Sequence, residues 1–380
     1  MSTRIALKAR FPVSRLFHSP INRSLRSSSS SSSSSSFSTM ARSYDEALSK
    51  LALLQSNRII TSLFESKSPA KNKPAQDLNA AAIPEMLEWL RRAGYSQQDL
   101  ARMRHIHVSG TKGKGSVCAY ATAMLAKYRV VGTYTSPHLV HVRERIAING
   151  EPVSREEFAA AFFEIWDRLT EAAVKAGVPE ADAQGPASKP FYFRFLTIMA
   201  WHIFLKRGVR DVVIECGIGG EYDSTNVLPR EAVSAAVVAQ LGIDHVAMLG
   251  DTVEKIAWHK AGILKAGVKG FTIKLKDQPG VMEVLRKRAA EKGAVLVEVD
   301  EEEVERWGGV EGRLKGDFQK RNQALAVLAV REHLGLMGGG DKQPLEDIPR
   351  EMVEGLRAAR LRGRCEVVDD GEAEWLLDGA

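Results

Sequence analysis

Cysteine is scarce in this chain, with three residues among 380. Cys118, Cys216 and Cys365 lie far apart and form no C-x-x-C pair, which argues against a disulfide framework or a zinc site and suits a reducing compartment. The sequence also has no uninterrupted apolar run of about 18 residues, so we predict no membrane-spanning helix. With 44% hydrophobic and 26% charged residues, the composition is typical of a globular protein with a sizeable core.

Acidic residues are missing from the first 44 positions, which carry seven basic ones and a run of ten serines from Ser27 to Ser36. Such a composition cannot build a core and is typical of a mitochondrial transit peptide, with a merely disordered tail as the alternative. We therefore predict residues 1–42 as a leader that directs the protein to the mitochondrial matrix or inner membrane. Met40 would start a cytosolic form.

Beyond the leader, 46 basic residues are balanced by 47 acidic ones. This part of the chain has no overall positive field, so a nucleic-acid partner is not expected.

Short apolar runs alternate with longer helix-like segments, which predicts an α/β fold with a mostly parallel sheet flanked by helices. The predicted strands are Ile106–Ser109, Val130–Thr135, Val212–Cys216, Ala235–Gln240, Gly270–Ile273, Val295–Val299, Cys365–Val368 and Trp375–Leu377. The predicted helices are Tyr44–Ser56, Ile83–Ala93, Ser116–Lys127, Arg155–Ala176, Phe193–Lys206, Val253–Ala261, Val281–Lys292, Phe318–Leu334 and Arg350–Ala359. Ser154 and Glu157 predict a capping box at the start of one helix, and Val178–Pro190 reads as a polar connection.

The segment Gly110–Ser116 (GTKGKGS) joins a predicted strand to a predicted helix. Its three glycines allow a tight turn whose N–H groups converge on an anion, and the helix offers its positive end to a phosphate. Lys114 adds a mobile positive charge, although it precedes the last glycine rather than following it as in the standard nucleotide loop. A glycine-rich turn with an incidental lysine is the alternative, but the flanking strand and helix favour phosphate binding.

Two more predicted strands end near side chains of types that bind metal ions or other ligands in many proteins. Glu215 precedes a glycine-rich turn, and its carboxylate is either a ligand for Mg²⁺ or a turn cap. His245 lies in Gly242–His245, but a single histidine is more often structural, and imidazole is unusual on Mg²⁺.

Three further candidates each allow two interpretations. Lys260 lies in the last turn of a predicted helix, where composition alone favours a lysine that complements the helix dipole. Ser136 ends a strand before a proline, which places its hydroxyl in a fixed turn. Arg143 and Arg145 either contact an anionic substrate or pair with Glu144.

Together these segments resemble the family that holds folylpolyglutamate synthases, dihydrofolate synthases and Mur ligases. The resemblance runs from about Ser43 to the final residue. It is carried by Gly110–Ser116, Ser136–Leu139, Arg143–Gly150 (RERIAING), Phe193–Met199, Glu215–Asn226, Leu241–Thr252 and Ala257–Lys265. The RERIAING and GGEYDSTN forms are similar to the polyglutamylating branch rather than to dihydrofolate synthase.

The resemblance implies a central domain like that of the Mur ligases, with ATP and Mg²⁺ as cofactors and a monovalent cation as a further candidate. The residues implied to hold ATP are Thr111, Lys112, Gly113, Lys114, Gly115, Ser116, Asn322 (near the adenine), Arg364 and Asp378. The implied magnesium ligands are Ser136, Glu215 and His245. The implied catalytic residues are Lys114, His245 and Lys260, the last matching a lysine that the family carbamylates.

The implied activity adds L-glutamate to the γ-carboxylate of tetrahydrofolate polyglutamates. ATP would convert the carboxylate to an acyl phosphate, which the glutamate amine attacks, and a monomer is expected. Dihydrofolate synthase, a small-molecule kinase and a nucleotide-binding chain that does not ligate are the alternatives.

The resemblance also suggests a domain organisation. Residues 43–337 would form the ATP-binding domain, 338–349 a linker that begins with three glycines, and 350–380 the start of a second α/β domain. The family signature D-G-A-H stops at Asp378-Gly379-Ala380, before its histidine. We therefore expect a truncated C-terminal domain, with weak ATP binding or little turnover.

Overall fold

Eight strands form the main sheet of the computed structural model, which describes residues 42–54, 75–337, 345–364, 366–369, 371 and 373–378. The strands are β1 (Arg104–Ser109), β2 (Val131–Tyr134), β3 (Ile146–Ile148), β4 (Glu151–Pro152), β5 (Asp211–Glu215), β6 (Val233–Val238), β7 (Lys269–Ile273) and β8 (Val295–Val299). Their order in the sheet is β4-β3-β2-β5-β1-β6-β7-β8. The six strands β2, β5, β1, β6, β7 and β8 run parallel to their neighbours. At one edge of the sheet, β3 pairs antiparallel with β2, and β4 pairs antiparallel with β3.

The six predicted strands of this sheet are confirmed, each shifted by at most two residues at either end. The sequence did not predict β3 and β4. They contain three and two residues, which is too short for the alternation of apolar and polar side chains to show. Residues 1–41 of the predicted leader and residues 338–344 of the predicted linker lie outside the described residues, as do Cys365 and positions 55–56.

Thirteen helices surround the sheet in the described part of the chain. They are α1 (Tyr44–Ala52), α2 (Ala75–Arg92), α3 (Gln97–Leu100), α4 (Lys114–Leu125), α5 (Arg155–Lys175), α6 (Glu180–Ala183), α7 (Tyr192–Lys206), α8 (Val246–Leu249), α9 (Val253–Lys260), α10 (Pro279–Lys292), α11 (Glu301–Trp307), α12 (Gln319–Leu334) and α13 (Arg350–Ala358). All nine predicted helices are present, α2 beginning eight residues before the predicted Ile83. The predicted connection Val178–Pro190 instead contains α6 and a 3-10 turn, Pro186–Ser188.

The helices lie on both faces of the sheet because the strands alternate their side chains. In β5, Val212 and Ile214 join a core with α1, α2, α5 and α7, whereas Val213 joins the core of α4, α12 and α13 on the other face. Burial on both faces explains why β5 reads as a continuous apolar run.

The predicted capping box at the start of α5 is half formed. The Ser154 hydroxyl accepts a hydrogen bond from the Glu157 backbone N–H at 3.1 Å. The Glu157 carboxylate does not return to Ser154 but pairs with Arg207 at 2.7 Å. An ion pair with the residue that follows α7 therefore replaces the second capping bond.

After α13 the chain forms a separate antiparallel hairpin, β9 (Glu366–Asp369) with β10 (Glu374–Leu377), which confirms two further predicted strands. In the described residues, no helix combines the length and the apolar character needed to cross a membrane.

Candidate nucleotide and metal site

The carboxyl ends of β2, β5, β1 and β6 lie side by side in the sheet. Each is followed by a segment that the sequence analysis singled out: Ser136 after β2, Glu215 at the end of β5, Gly110–Ser116 after β1 and Gly242–His245 after β6. Open parallel sheets bind ligands at this edge, where neighbouring connections leave in opposite directions. The topology therefore brings four candidate segments, spread along the chain between Gly110 and His245, into one region.

The phosphate loop, Gly110–Ser116, leads into α4 with its first-turn N–H groups available. Gly113 is the N-cap residue, adopts a left-handed conformation with φ of 82°, and provides no side-chain cap. The first N–H groups of a helix have no partner within the helix, and together with the dipole they attract anions. These donors, from Gly113 onward, can hold a phosphate.

The start of the loop is instead held by the segment after β6. Thr111 and Lys112 donate their backbone N–H groups to the Gln240 carbonyl at 2.8 and 3.1 Å. The Thr111 hydroxyl donates to the Gly242 carbonyl at 2.9 Å. The N–H groups of Thr111 and Lys112 are thus committed within the protein, which leaves anion binding by main-chain donors to the later part of the loop.

Lys114 folds back on its own loop. Its Nζ donates to the carbonyl of Gly110 at 2.9 Å and more weakly to that of Thr111 at 3.4 Å. The ammonium group therefore lies at the loop and has to exchange these acceptors to reach a ligand.

Glu215 is buried beside the loop, with 4% of its surface exposed. Its Oε2 accepts a hydrogen bond from the Ser136 backbone N–H at 3.0 Å. Burial raises the pKa of Glu215, while the Lys114 ammonium, the Ser136 N–H and the guanidinium groups of Arg364 and Arg145 oppose that rise. The structure thus brings Ser136, Lys114 and Arg364 around one carboxylate that lacks a direct ionic partner among the described residues.

His245 follows β6 in a strained left-handed conformation, with φ of 44°. Burial lowers the pKa of its imidazole, the Asp244 carboxylate opposes this, and the nearby Lys260 and Lys114 ammonium groups add to it. The neutral imidazole that results has a free lone pair for a ligand.

Lys260 does not merely complement the dipole of α9, as composition alone favoured. Its side chain is 1% exposed, and its Nζ donates to Asp244 Oδ2 and to the Gly110 carbonyl, both at 2.9 Å. Burial lowers the pKa of Lys260, Asp244 opposes this, and Lys114 adds to it. Lys260 therefore contacts the phosphate loop at the Gly110 carbonyl.

Asp244 is a site residue that the sequence analysis missed. Its Oδ2 pairs with Lys260, and its Oδ1 is buried without a hydrogen-bond partner among the described residues. The available signal was its position beside His245, at a strand end that already held a candidate.

Asn322 reaches the loop from α12. A Cβ added to Gly113 would lie 2.3 Å from Asn322 Oδ1, so the amide packs against the loop where only a glycine fits. The adjoining small cavity is lined in part by Gln240, Phe318 and Asn322. Asp378, by contrast, is exposed at the end of β10, and its contact with ATP stays a prediction.

Arg143 and Arg145 do not pair with Glu144, whose carboxylate accepts backbone N–H groups from residues 139–141. Arg145 donates to His138 Nδ1 at 2.9 Å and lies 5.6 Å from the ring centre of Tyr192. Arg143 donates to the Val153 carbonyl at 2.6 Å. Of the two interpretations, pairing with Glu144 is wrong.

A groove of about 230 Å³ opens beside this segment. Its lining residues are Tyr44, Leu48, Leu51, Ala52, His138, Val140, His141, Val142 and Tyr192. Arg143 lies 5.8 Å from the ring centre of Tyr44, so both arginines border the aromatic walls. The groove combines apolar surface with positive charge, a few residues from Ser136.

No protein-family model matches the chain. Folylpolyglutamate synthase from Neurospora crassa is 43% identical over 347 residues, which cover 90% of this chain and 62% of that protein. The Saccharomyces cerevisiae FostersO enzyme of the same name is 39% identical over 349 residues, covering 90% and 61%. The chain thus spans about three fifths of the length of these curated relatives.

Solved structures of folylpolyglutamate synthases also superpose on this chain. An FPGS–AMPPCP–folate complex superposes with a TM-score of 0.68 at 25% identity, covering 89% of this chain and 77% of that one. Mycobacterium tuberculosis folylpolyglutamate synthase complexed with ADP and AMPPCP gives a TM-score of 0.61 at 26% identity, covering 80% and 71%. Over about nine-tenths of its length, this chain is similar to folylpolyglutamate synthases in sequence and to solved FPGS structures in fold.

Proposed function

We propose that this chain binds Mg-ATP at the phosphate loop and joins L-glutamate to the γ-carboxylate of a tetrahydrofolate polyglutamate. The observation that carries the proposal is the buried Glu215 beside Ser136 and the phosphate loop. A buried carboxylate next to an anion cradle is the arrangement that a cation bridging protein and phosphate requires.

ATP fits the loop and its surroundings. The N-terminus of α4 suits a phosphate, and the cavity at Asn322 adjoins Gly113, where the base of a bound nucleotide would lie. Two of the FPGS structures that superpose on this chain are complexes with AMPPCP, which supports a triphosphate ligand. Arg364 is close enough to Glu215 to affect its pKa and is our proposed contact to the γ-phosphate.

Magnesium fits the donors that the protein offers. In the described segments, no three His, Cys, Asp or Glu side chains form a cluster able to hold a metal by themselves. Mg²⁺ takes few protein ligands and fills its octahedron with water and phosphate oxygens. Glu215, the Ser136 hydroxyl and His245 would hold it, and the ion would offset charge on the transferred phosphoryl group.

The groove lined by Tyr44 and Tyr192 suits an aromatic heterocycle with an acidic tail. Its rings and aliphatic side chains can pack against a pteridine, and Arg143 and Arg145 can pair with glutamate carboxylates. The FPGS–AMPPCP–folate complex supports folate as the ligand class.

The chain's own groups then account for the chemistry. A carboxylate resists attack by an amine until its oxygen becomes a leaving group, and phosphorylation by ATP supplies this. Lys114 and the first turn of α4 would stabilise negative charge as the γ-phosphoryl group transfers. The glutamate amine then attacks the acyl phosphate, and phosphate leaves. Carbamylation of Lys260, a mitochondrial location and a monomeric state stay predictions.

Product analysis tests the proposal directly. The chain is incubated with Mg-ATP, tetrahydrofolate and L-glutamate, and the folate is analysed by mass spectrometry for added glutamate. Dihydropteroate replaces tetrahydrofolate in a parallel reaction, and glutamate is omitted from another. We expect glutamate addition to tetrahydrofolate only in the complete mixture, and loss of product in Lys114→Met but not in the surface variant Lys315→Met.

The other outcomes separate the alternatives. Preference for dihydropteroate indicates dihydrofolate synthase, and a stable phosphorylated product without glutamate indicates a kinase. Binding of Mg-ATP without any ligation would leave only the nucleotide site, and failure to bind Mg-ATP would contradict the proposal as a whole.

A further inference from the structure

The connection between α13 and β9 crosses the candidate site. We call residues 359–364 the crossing segment. A Cβ built on Gly115 of the phosphate loop would lie 3.3 Å from Leu361 Cδ2 and 4.0 Å from Glu215 Oε2. Leu361 therefore lies beside both the phosphate loop and the buried carboxylate, and the crossing segment passes over the place assigned to the nucleotide phosphates.

The other end of the crossing segment contacts the wall of the apolar groove. A Cβ built on Gly363 would lie 3.2 Å from Leu139 Cδ1. The chain neighbours of Leu139, His138 and Val140, both line the groove. Arg362 thus stands between a residue at the phosphate loop and a residue at the groove wall. A ligand that extends from the groove to the phosphate loop would pass close to this arginine.

The guanidinium of Arg362 can accept a further anionic partner. Its side chain is 60% exposed, and its Nε lies 3.5 Å from Oε1 of Glu366, four positions further on. The other oxygen of Glu366 accepts the Gly363 N–H at 2.8 Å. An exposed ion pair contributes little, and a guanidinium has five donors that suit bidentate binding of a carboxylate. Arg360 is also exposed and has no ion-pair partner in the part of the chain that the structure describes.

A γ-linked glutamate tail matches this placement. Each residue of such a tail keeps one free α-carboxylate, and only the last γ-carboxylate takes part in the proposed reaction. With the pteridine in the groove and the last γ-carboxylate at the phosphate loop, the remaining carboxylates lie between these two ends. A tail of several residues is longer than the direct path, so part of it has to turn toward solvent, where Arg360 and Arg362 are exposed.

We propose that Arg362, assisted by Arg360, binds α-carboxylates of the substrate's glutamate tail, so that affinity increases with the length of the tail. The inference rests on the proposed function, because it takes a folate polyglutamate as the ligand. It adds a binding surface on the crossing segment for the tail and assigns no part in phosphoryl transfer to the two arginines.

Binding measurements with a short and a long tail test the proposal. Dissociation constants of tetrahydrofolate with one and with five glutamates are measured by calorimetry on the full chain, with Mg²⁺ and saturating AMPPCP, which keeps the tail out of the phosphate loop. We expect the unsubstituted chain to bind the pentaglutamate more tightly. Arg362→Gln should weaken pentaglutamate binding about threefold, within the range of an exposed ion pair, and leave monoglutamate binding unchanged. Arg360→Gln should have a smaller effect in the same direction.

Two further variants separate contact with the tail from a structural role. Glu366→Gln keeps an amide oxygen for the Gly363 N–H but removes the charge that competes for Arg362, so it should strengthen pentaglutamate binding about twofold. That gain should disappear in an Arg362→Gln background, since the two residues act through one another. The matched control is Arg350→Gln, which removes an exposed arginine paired with Glu354, also four positions further on, at 3.0 Å. It should change neither affinity.

The contrary results are distinct. Equal weakening of both ligands by Arg362→Gln would show that this arginine only maintains the crossing segment. A preference for the pentaglutamate that survives undiminished when both arginines are replaced by glutamine, or no preference in the unsubstituted chain, would overturn the inference while the proposed function stands. If neither folate binds, the proposed function fails, and the inference fails with it.

Discussion

Gly113 shows how one residue controls the phosphate loop. Its φ of 82° lies in the left-handed region that side chains disfavour, and an added Cβ would lie 2.3 Å from Asn322 Oδ1. Both the turn into α4 and the approach of α12 therefore require a glycine. The geometry of the phosphate loop therefore depends on the absence of a Cβ atom at position 113.

Gly113→Ala is expected to weaken nucleotide binding at least tenfold, about 1.4 kcal/mol, because the loop and Asn322 must separate. Titration with a fluorescent ATP analogue measures the change. Gly335→Ala is the control: its φ is 73° and nothing lies within 4 Å of the added carbon. It should lower stability by about 1 kcal/mol and leave nucleotide affinity unchanged; equal affinities for Gly113→Ala and the unsubstituted chain would contradict the prediction.

Single residues were predictable from sequence to different degrees. The glycines and lysine of the phosphate loop form a local pattern, so their association with a strand and a helix could be read directly. Asp244 and Lys260 are 16 positions apart, on separate elements, and no local periodicity relates them. Composition therefore favoured the wrong interpretation of Lys260, and only the resemblance to a family indicated its place at the site.

Among the elements, α4 and α13 pack at unusually close range. A Cβ added to Gly355 in α13 would lie 2.6 Å from the Cα of Met124 in α4. Because the contact is with backbone, no side-chain rotation can relieve it. The glycine thus allows α13 to lie against the helix whose first turn forms the phosphate loop.

Gly355→Ala is expected to lower the free energy of unfolding by about 1–3 kcal/mol, the usual effect of overpacking. Urea denaturation measures it. Gly280→Ala in α10 is the matched control, since its added carbon would lie 3.4 Å from a flexible Glu254 oxygen; replacing a helical glycine there should be neutral or stabilise by about 0.5 kcal/mol. A Gly355→Ala variant as stable as the Gly280→Ala variant would show that the helices can separate freely.

At the scale of the whole molecule, four histidines of the described residues are buried, each at most 1% exposed: His105, His107, His202 and His333. Burial lowers the pKa of all four, that of His105 to about 4, despite opposing contacts such as the Asp211 carboxylate beside His333. The unfolded chain therefore binds protons at higher pH than the folded one. The stability that these neutral histidines contribute is complete above pH 6.5 and is lost as the pH falls toward 4.

His105→Gln is expected to reduce this pH dependence. Between pH 7.5 and 5 the unsubstituted chain should lose about 2 kcal/mol more than the variant, since the ordinary pKa of histidine near 6.5 is about 1.5 above pH 5. Urea unfolding at each pH gives the comparison, with the exposed His141→Gln as control. Burial raises the pKa of Glu215 and Asp223, which acts in the opposite direction but equally in both proteins. Parallel curves for His105→Gln and the unsubstituted chain would contradict the prediction.

Local patterns in the sequence were sufficient for most strands and helices, for the phosphate loop and for the acid-free leader composition, because each depends on neighbours a few positions apart. Tertiary structure decided that β1 lies between β5 and β6, that Ser136 reaches Glu215, that Lys260 pairs with Asp244 and that Arg145 turns to His138 rather than Glu144. The reason is physical. The periodicity of apolar residues along a segment reports which face of the element is buried, whereas the partner of a side chain depends on the order of the strands. That order is determined by contacts between distant parts of the chain.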